Sequence, residues 1–66
     1  MKVNDKDFSL TALENGTILE LVKYFNLKPN MVAVERNGQI EDRNRWQETR
    51  LQDTDCIELI KFIGGG

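Results

Sequence analysis

The 66-residue sequence has no histidine, one cysteine (Cys56) and one proline (Pro29). Each scarcity removes a class of chemistry. Without histidine, and with a single thiolate, the chain cannot assemble the usual nitrogen and sulfur ligand set of a zinc site. A lone cysteine builds no disulfide framework. No histidine base is present to activate a side-chain nucleophile. No apolar run approaches the roughly 20 residues that span a bilayer. The start, Met1-Lys2-Val3-Asn4, enters a strand-like pattern without the apolar centre of a secretory signal. The expected location is therefore the cytoplasm. Neither sign of charge dominates, with nine Lys and Arg against eleven Asp and Glu and a net charge of -2. Those charges are scattered rather than gathered in a basic stripe, so the electrostatic footprint of nucleic-acid binding is missing.

What is present suits one small globular domain. Hydrophobic residues make up 39% and charged residues 30%, and a chain this short must pack economically. Met1 to Val3 and Phe8 to Thr11 read as two short strands, joined through the turn-forming Asn4-Asp5-Lys6-Asp7. Thr17 followed by Glu20 is a capping box, in which each side chain bonds the other residue's backbone N–H, so a helix starts there. Ile18, Leu21, Val22 and Phe25 share one helical face, widened by Leu19. Asn26 is a C-terminal cap and Pro29 prevents resumption.

Met31 to Arg36 is the next strand, with Val32 and Val34 on one face. Asn37-Gly38 is a tight-turn dipeptide that returns the chain at Ile40. Glu41 to Arg50 reads as a loop with at most a short helical turn that pins Trp46 against the body. Asp53-Thr54-Asp55 makes another turn, and Cys56 to Ile63 is the longest strand-like run. The order β-β-α-β-β-β predicts an α+β fold of the β-grasp type, a mixed sheet of four to five strands packed on one helix. The expected core is Ile18, Leu21, Val22, Phe25, Val32, Val34, Ile57 and Leu59. Residues 1–63 form the predicted domain and 64–66 a flexible tail.

That tail, Gly64-Gly65-Gly66, holds three of the five glycines. Glycine loses the most backbone entropy on ordering and packs nothing, so such an ending serves no folding element. It suits a thin segment that another protein grips, and three extended residues reach about 10 Å. The terminal carboxylate is then the reactive group. Activating it calls for attack on the α-phosphate of ATP to give an acyl-adenylate, a case of covalent catalysis. The sequence holds no P-loop and no cationic cluster for ATP and Mg²⁺. A partner must supply both, and the chain is expected to bind no cofactor and to be a carrier rather than an enzyme.

The stretch Asn37-Gly38-Gln39-Ile40, then Arg43, Trp46, Leu51, Asp53, Asp55 and Gly65-Gly66, is similar in order and spacing to the N-G-x-I, R-x-x-W, L-x-D-G-D and G-G elements of the ThiS sulfur carriers of thiamine biosynthesis. These are ubiquitin-like proteins and relatives of the MoaD carriers. The resemblance covers the whole chain, and its length and Trp46 favour ThiS over MoaD. Two positions depart from the pattern. Asp42 stands where a proline is common, leaving that loop less rigid. Thr54 replaces a glycine, so the turn there must differ or be strained.

The resemblance implies a cycle. A ThiF-like enzyme adenylates Gly66, sulfur originating from a cysteine desulfurase replaces AMP, and the resulting thiocarboxylate gives its sulfur to a ThiG-like thiazole synthase. On that reading Gly64 and Gly65 give access and Ile63 is the last anchored residue. Strand alternation puts Ile60 and Phe62 on the face opposite Ile57 and Leu59. Exposed beside the tail, Ile60 and Phe62 form with Ile63 an expected docking patch. Cys56 reads as an inert small hydrophobe, Trp46 as a core edge, and Arg43, Arg45 and Arg50 as solvated surface. Two other functions share this activation chemistry, a MoaD-like carrier for another pathway and a ubiquitin-like modifier that forms an amide with a target lysine. A plain β-grasp interaction module is a further alternative.

Overall fold

The computed structural model describes residues 1–62. Its first two strands, β1 (Lys2–Val3) and β2 (Lys6–Asp7), pair antiparallel with Lys2 opposite Asp7 and Val3 opposite Lys6. Asn4 and Asp5 both adopt positive φ, 50° and 67°, the two-residue turn whose twist matches that of its flanking strands. This corrects the expected second strand at Phe8–Thr11. The turn consumes two residues rather than four, so the return strand begins at Lys6. By Ser9 the chain is already leaving the sheet. The Ser9 hydroxyl accepts the Thr11 N–H (3.3 Å) and starts a 3₁₀ turn over Leu10–Ala12.

Helix α1 (Ile18–Tyr24) begins where the capping signal places it. Thr17 Oγ1 accepts the Glu20 N–H at 3.2 Å. The Glu20 carboxylate reaches past the cap residue and accepts the backbone N–H groups of Glu14, Asn15 and Gly16 at 2.6, 2.7 and 2.8 Å. The approach loop and the helix are thus tied by one side chain. At the other end Asn26 takes φ 61°, its N–H donates to the Lys23 carbonyl, and the Leu27 N–H donates to the Val22 carbonyl. These are the two bonds of a Schellman cap.

Strands β3 (Val32–Arg36), β4 (Gln39–Ile40) and β5 (Cys56–Lys61) complete a five-stranded sheet in the order β2-β1-β5-β3-β4. β5 lies in the centre, parallel to β1 and antiparallel to β3. Asn37 at φ 53° and Gly38 at φ 88° make the β3–β4 turn. Thr54 is not among the residues at positive φ, so its turn is built differently from one that needs glycine, and without that strain. Asp42 caps the 3₁₀ turn Arg43–Arg45 by accepting the Asn44 N–H at 3.0 Å. A carboxylate thus organises the loop where the family pattern has proline.

One face of the sheet and the helix enclose Val3, Leu13, Ile18, Leu21, Val22, Val32, Val34, Trp46, Leu51, Ile57 and Leu59. Trp46, 2% exposed, is the largest of the fully buried side chains, and its indole N–H donates to the Glu41 carbonyl at 3.2 Å. The loop from Glu41 to Arg50 is mostly exposed and is pinned to the core through Trp46. Phe25 does not belong to the core and is 40% exposed. The helix ends at Tyr24, so Phe25 is its C-cap, and the left-handed Asn26 then swings the chain away. The 3.6-residue period fails at the residue where the helix itself stops.

Asp55 is the buried charged residue of the described chain, 5% exposed. Its carboxylate accepts from the Gln52 N–H (2.9 Å) and the Asn37 side-chain amide (3.0 Å), and lies 3.5 Å from an Arg36 guanidinium nitrogen. Burial pushes its pKa up. The Gln52 and Asn37 bonds and the Arg36 charge outweigh that and hold it below the ordinary carboxylate value. Replacing Asp55 by Ala leaves those donors unpaired and is expected to cost roughly 2–3 kcal/mol in urea unfolding at neutral pH. Because the folded pKa is depressed, the carboxylate's contribution is complete above its unfolded pKa of about 3.9 and is lost as pH falls through the folded value. The gap between wild type and Asp55→Ala should therefore be flat above about pH 5 and close below about pH 4.

Candidate functional site

The candidate site is the end of β5, after which the sequence runs into its three glycines. Ile63, Gly64, Gly65 and Gly66 lie outside the described residues. The strand that leads to them is held from both sides. On the β3 side its register runs from Arg36 opposite Ile57 to Val32 opposite Lys61, and the Phe62 N–H donates to the Met31 carbonyl at 3.0 Å. On the β1 side the Asn4 N–H donates to the Ile57 carbonyl (2.8 Å), and Asn4 Oδ1 accepts the Leu59 N–H at 2.8 Å.

A third hold lies at the start of the strand. The Asn37 side-chain oxygen accepts the Cys56 N–H at 2.8 Å while the Asn37 N–H donates to the Cys56 carbonyl at 2.9 Å. Asn37 Nδ2 is the same amide that reaches Asp55. The Asn-Gly turn and the Asp at the head of β5 thus form one polar clamp. It sets where the strand begins and, through its length, where it ends.

The alternation expected for β5 is observed. Ile57 and Leu59 are buried, whereas Ile60 and Phe62 are 41% and 51% exposed on the face away from the helix. Ala33 pairs with Ile60, and Met31, also exposed, accepts the Phe62 amide. The patch is thus wider than the two side chains read from the sequence. The cross-strand partner was legible only once the register was known. Glu35 and Glu58 stand opposite each other beside it.

The remaining candidates have other placements. Cys56, read from the sequence as an inert small hydrophobe, is an exposed free thiol rather than a packed side chain. Being the first residue of β5, it projects outward beside Lys2, its pairing partner in β1. Arg43 is structural: its guanidinium donates to the Val32 carbonyl at 3.0 Å and lies 5.4 Å from the centre of the Trp46 ring, a cation–π distance. Arg45 pairs with Glu48 at 3.3 Å on the surface, and Arg50 is exposed and bridges Thr17. Among the described residues no group of three or more His, Cys, Asp or Glu is placed to hold a metal ion, and no helix is long and apolar enough to cross a membrane.

Sequence reasoning missed an aromatic cluster. Phe8, Tyr24 and Phe25 are in mutual contact, with ring centroids 5.1 to 5.5 Å apart. Adjacent aromatics at the end of a helix were the available signal.

Replacing Ile60 or Phe62 by Asp is expected to cost about 1 kcal/mol of folding stability, because each side chain is about half exposed and Asp is a poor strand former. Leu59→Asp, one residue away but on the buried face, should unfold the domain. Thermal denaturation followed by circular dichroism separates the two outcomes.

The comparisons with known proteins agree with this architecture. The ThiS family model matches residues 1–66. The sulfur carrier protein ThiS of Bacillus subtilis (strain 168) is 38% identical over 66 residues, covering 100% of this chain and 98% of that protein. A thiazole synthase of Magnetococcus marinus is 44% identical over 54 residues, which is 80% of this chain but 17% of that longer protein. A crystal structure of the thiamine biosynthesis protein ThiS from Geobacter metallireducens superposes with a TM-score of 0.78 at 30% identity, covering 98% of this chain and 96% of that one. In sequence along its whole length, and in the arrangement of its sheet and helix, the chain belongs to the ThiS family.

Proposed function

We propose that this chain is a sulfur carrier of thiamine biosynthesis, with the carboxylate of Gly66 as the group that is adenylated and converted to a thiocarboxylate. The observation that carries the reading is the end-to-end similarity to a sulfur carrier protein, on a fold whose central strand runs directly toward the glycines. Residues 1–63 act as the body and 64–66 as the tail. Gly64 and Gly65 let an enzyme close on the backbone without meeting a Cβ, and Ile63 marks the junction.

In this scheme a carboxylate oxygen of Gly66 attacks the α-phosphate of ATP and pyrophosphate leaves. The terminal sulfur of a persulfide, originating from a cysteine desulfurase, then displaces AMP to give an acyl disulfide. A partner thiol reduces this to release the thiocarboxylate while itself forming a disulfide. Activation makes the carbonyl carbon an electrophile with a good leaving group, which the free carboxylate lacks. ATP and Mg²⁺ are held by a ThiF-like activating enzyme, and the chain is its co-substrate rather than a catalyst. The loaded thiocarboxylate then serves a ThiG-like thiazole synthase. The match between most of this chain and a segment of a longer thiazole synthase supports that pairing, since it places a segment similar to this chain within a polypeptide named for that synthase. The exposed Ile60 and Phe62, beside Met31 and Ala33, are the surface on which these partners dock.

Deleting Gly66 should abolish ATP–pyrophosphate exchange by the activating enzyme and leave the unfolding midpoint unchanged. Ile60→Asp or Phe62→Asp should raise the protein concentration giving half-maximal exchange by about tenfold or more, equivalent to the loss of roughly 1.4 kcal/mol of docking. Cys56→Ala should exchange at the wild-type rate. Exchange by the Gly66 deletion at the wild-type rate would contradict the reading.

A further inference from the structure

The two edges of β5 are not equally covered. Toward β3 the strand is paired as far as Phe62. Toward β1 the pairing stops early, because β1 ends at Val3, opposite Ile57, and Asn4 turns away at positive φ. The Asn4 side chain then substitutes for one more residue of strand. Its oxygen accepts the Leu59 N–H, and its amide nitrogen lies 3.5 Å from the Leu59 carbonyl. Along a strand, N–H and C=O groups alternate in direction. Ile57 and Leu59 point toward β1, so the N–H and C=O of Lys61 point the same way, beyond the reach of Asn4, with no backbone partner among the described residues.

That open edge borders an apolar groove of about 430 Å³ between the β1–β2 hairpin, the end of α1 and β5. Leu59 lies in its lining, and Phe8, Tyr24 and Phe25 form an aromatic wall. Tyr24 and Phe25 are each at least 40% exposed. The lining carries three charges: Asp7 is paired with Lys2 at 2.7 Å, whereas Lys6 and Lys61, both exposed on the rim, make no ion pair among the described residues. A strand edge gives main-chain pairing, an adjoining groove selects a side chain, and rim charges select its neighbours. Here they call for an extended segment with an apolar or aromatic residue and a carboxylate.

We propose that this groove receives an extended, acidic and apolar segment of the activating enzyme. One residue of that segment exchanges main-chain hydrogen bonds with Lys61, its apolar side chain enters against Phe25 and Leu59, and its carboxylate lies between Lys6 and Lys61. The inference rests on the carrier reading, because Lys61 precedes the glycines by three residues in the sequence, so an enzyme that grips them is brought close to this edge. It adds a second contact surface, around the edge of β5 from the Ile60–Phe62 face.

The test is a titration of ¹⁵N-labelled protein with the unlabelled activating enzyme, following amide hydrogen exchange, with ATP–pyrophosphate exchange read in parallel. The Lys61 amide should become protected by about tenfold or more on binding, as expected for a new strand-type hydrogen bond. Lys61→Pro removes the outward N–H together with the rim ammonium and leaves the bonds to β3 in place, whereas Lys61→Ala removes the ammonium alone. The proline variant should raise the half-maximal protein concentration in pyrophosphate exchange by about fivefold to tenfold at unchanged maximal rate, a net main-chain bond of roughly 1 kcal/mol or somewhat more. Phe25→Ser should act in the same direction, and Lys61→Ala less than Lys61→Pro. Binding without protection of Lys61, or Lys61→Pro and Phe25→Ser both within about twofold of wild type on a folded domain, overturns the groove proposal and leaves the carrier reading standing. Absence of any binding overturns both, and binding with Lys61 protection but no pyrophosphate exchange overturns the carrier reading alone.

Discussion

The placement of β5 at the centre of the sheet is the constraint on which the rest of the molecule depends. A central strand needs partners for both rows of its backbone groups. Here one row is met by β3 and the other, as far as Leu59, by two residues of β1 and by the backbone and side chain of Asn4. Ile57 and Leu59 then face the helix and anchor the core, and the same alternation forces Ile60 and Phe62 outward. The burial that stabilises the domain and the exposure that suits docking follow from a single strand register. A slip of one residue would exchange the two sets and destroy both.

The polar residues fix that register. Asn37 pairs with both the N–H and the C=O of Cys56, and holds the Asp55 carboxylate with its amide. Asp55 in turn closes the preceding turn through Gln52 and meets Arg36, which is itself bonded to Glu41. Buried polar groups of this kind are costly unless every one is satisfied, and among the described residues no buried side-chain polar atom lacks a partner. Asn4 performs a related task at the other edge. Three of the side chains that position β5 thus come from turns and from the residue that begins the strand's approach, rather than from strands.

Much of this was legible in the sequence where chemistry is local. The Thr17 cap, the Asn26 stop and the Asn37-Gly38 turn each depend on residues within a few positions of one another, and each is where the pattern puts it. The alternation of Cys56 to Lys61 gave the two faces of β5 correctly. The misses lie where a local preference meets a tertiary one. Phe25 follows the helical period but occupies the cap. The two-residue turn at Asn4-Asp5 moved the second strand from Phe8–Thr11 to Lys6–Asp7. Val3, Leu13 and Leu51 enter the core because of where the chain crosses the helix, which no short window shows. The groove beside Lys61 could not be read at all, since it exists only because β1 is shorter than β5.

The chemistry proposed for Gly66 requires little of the body beyond a fixed point of departure and surfaces by which an enzyme can find it. In the proposed scheme the polar clamp serves as the first, and the open edge of β5 and the outward apolar pair serve as the second. The most direct test is the intact mass of the protein after co-expression with the activating enzyme and a cysteine desulfurase. The account predicts a gain equal to the replacement of one oxygen by one sulfur, confined to the C-terminal peptide and absent when Gly66 is deleted. An unchanged mass, or covalent adducts of protein size on target lysines, would contradict it.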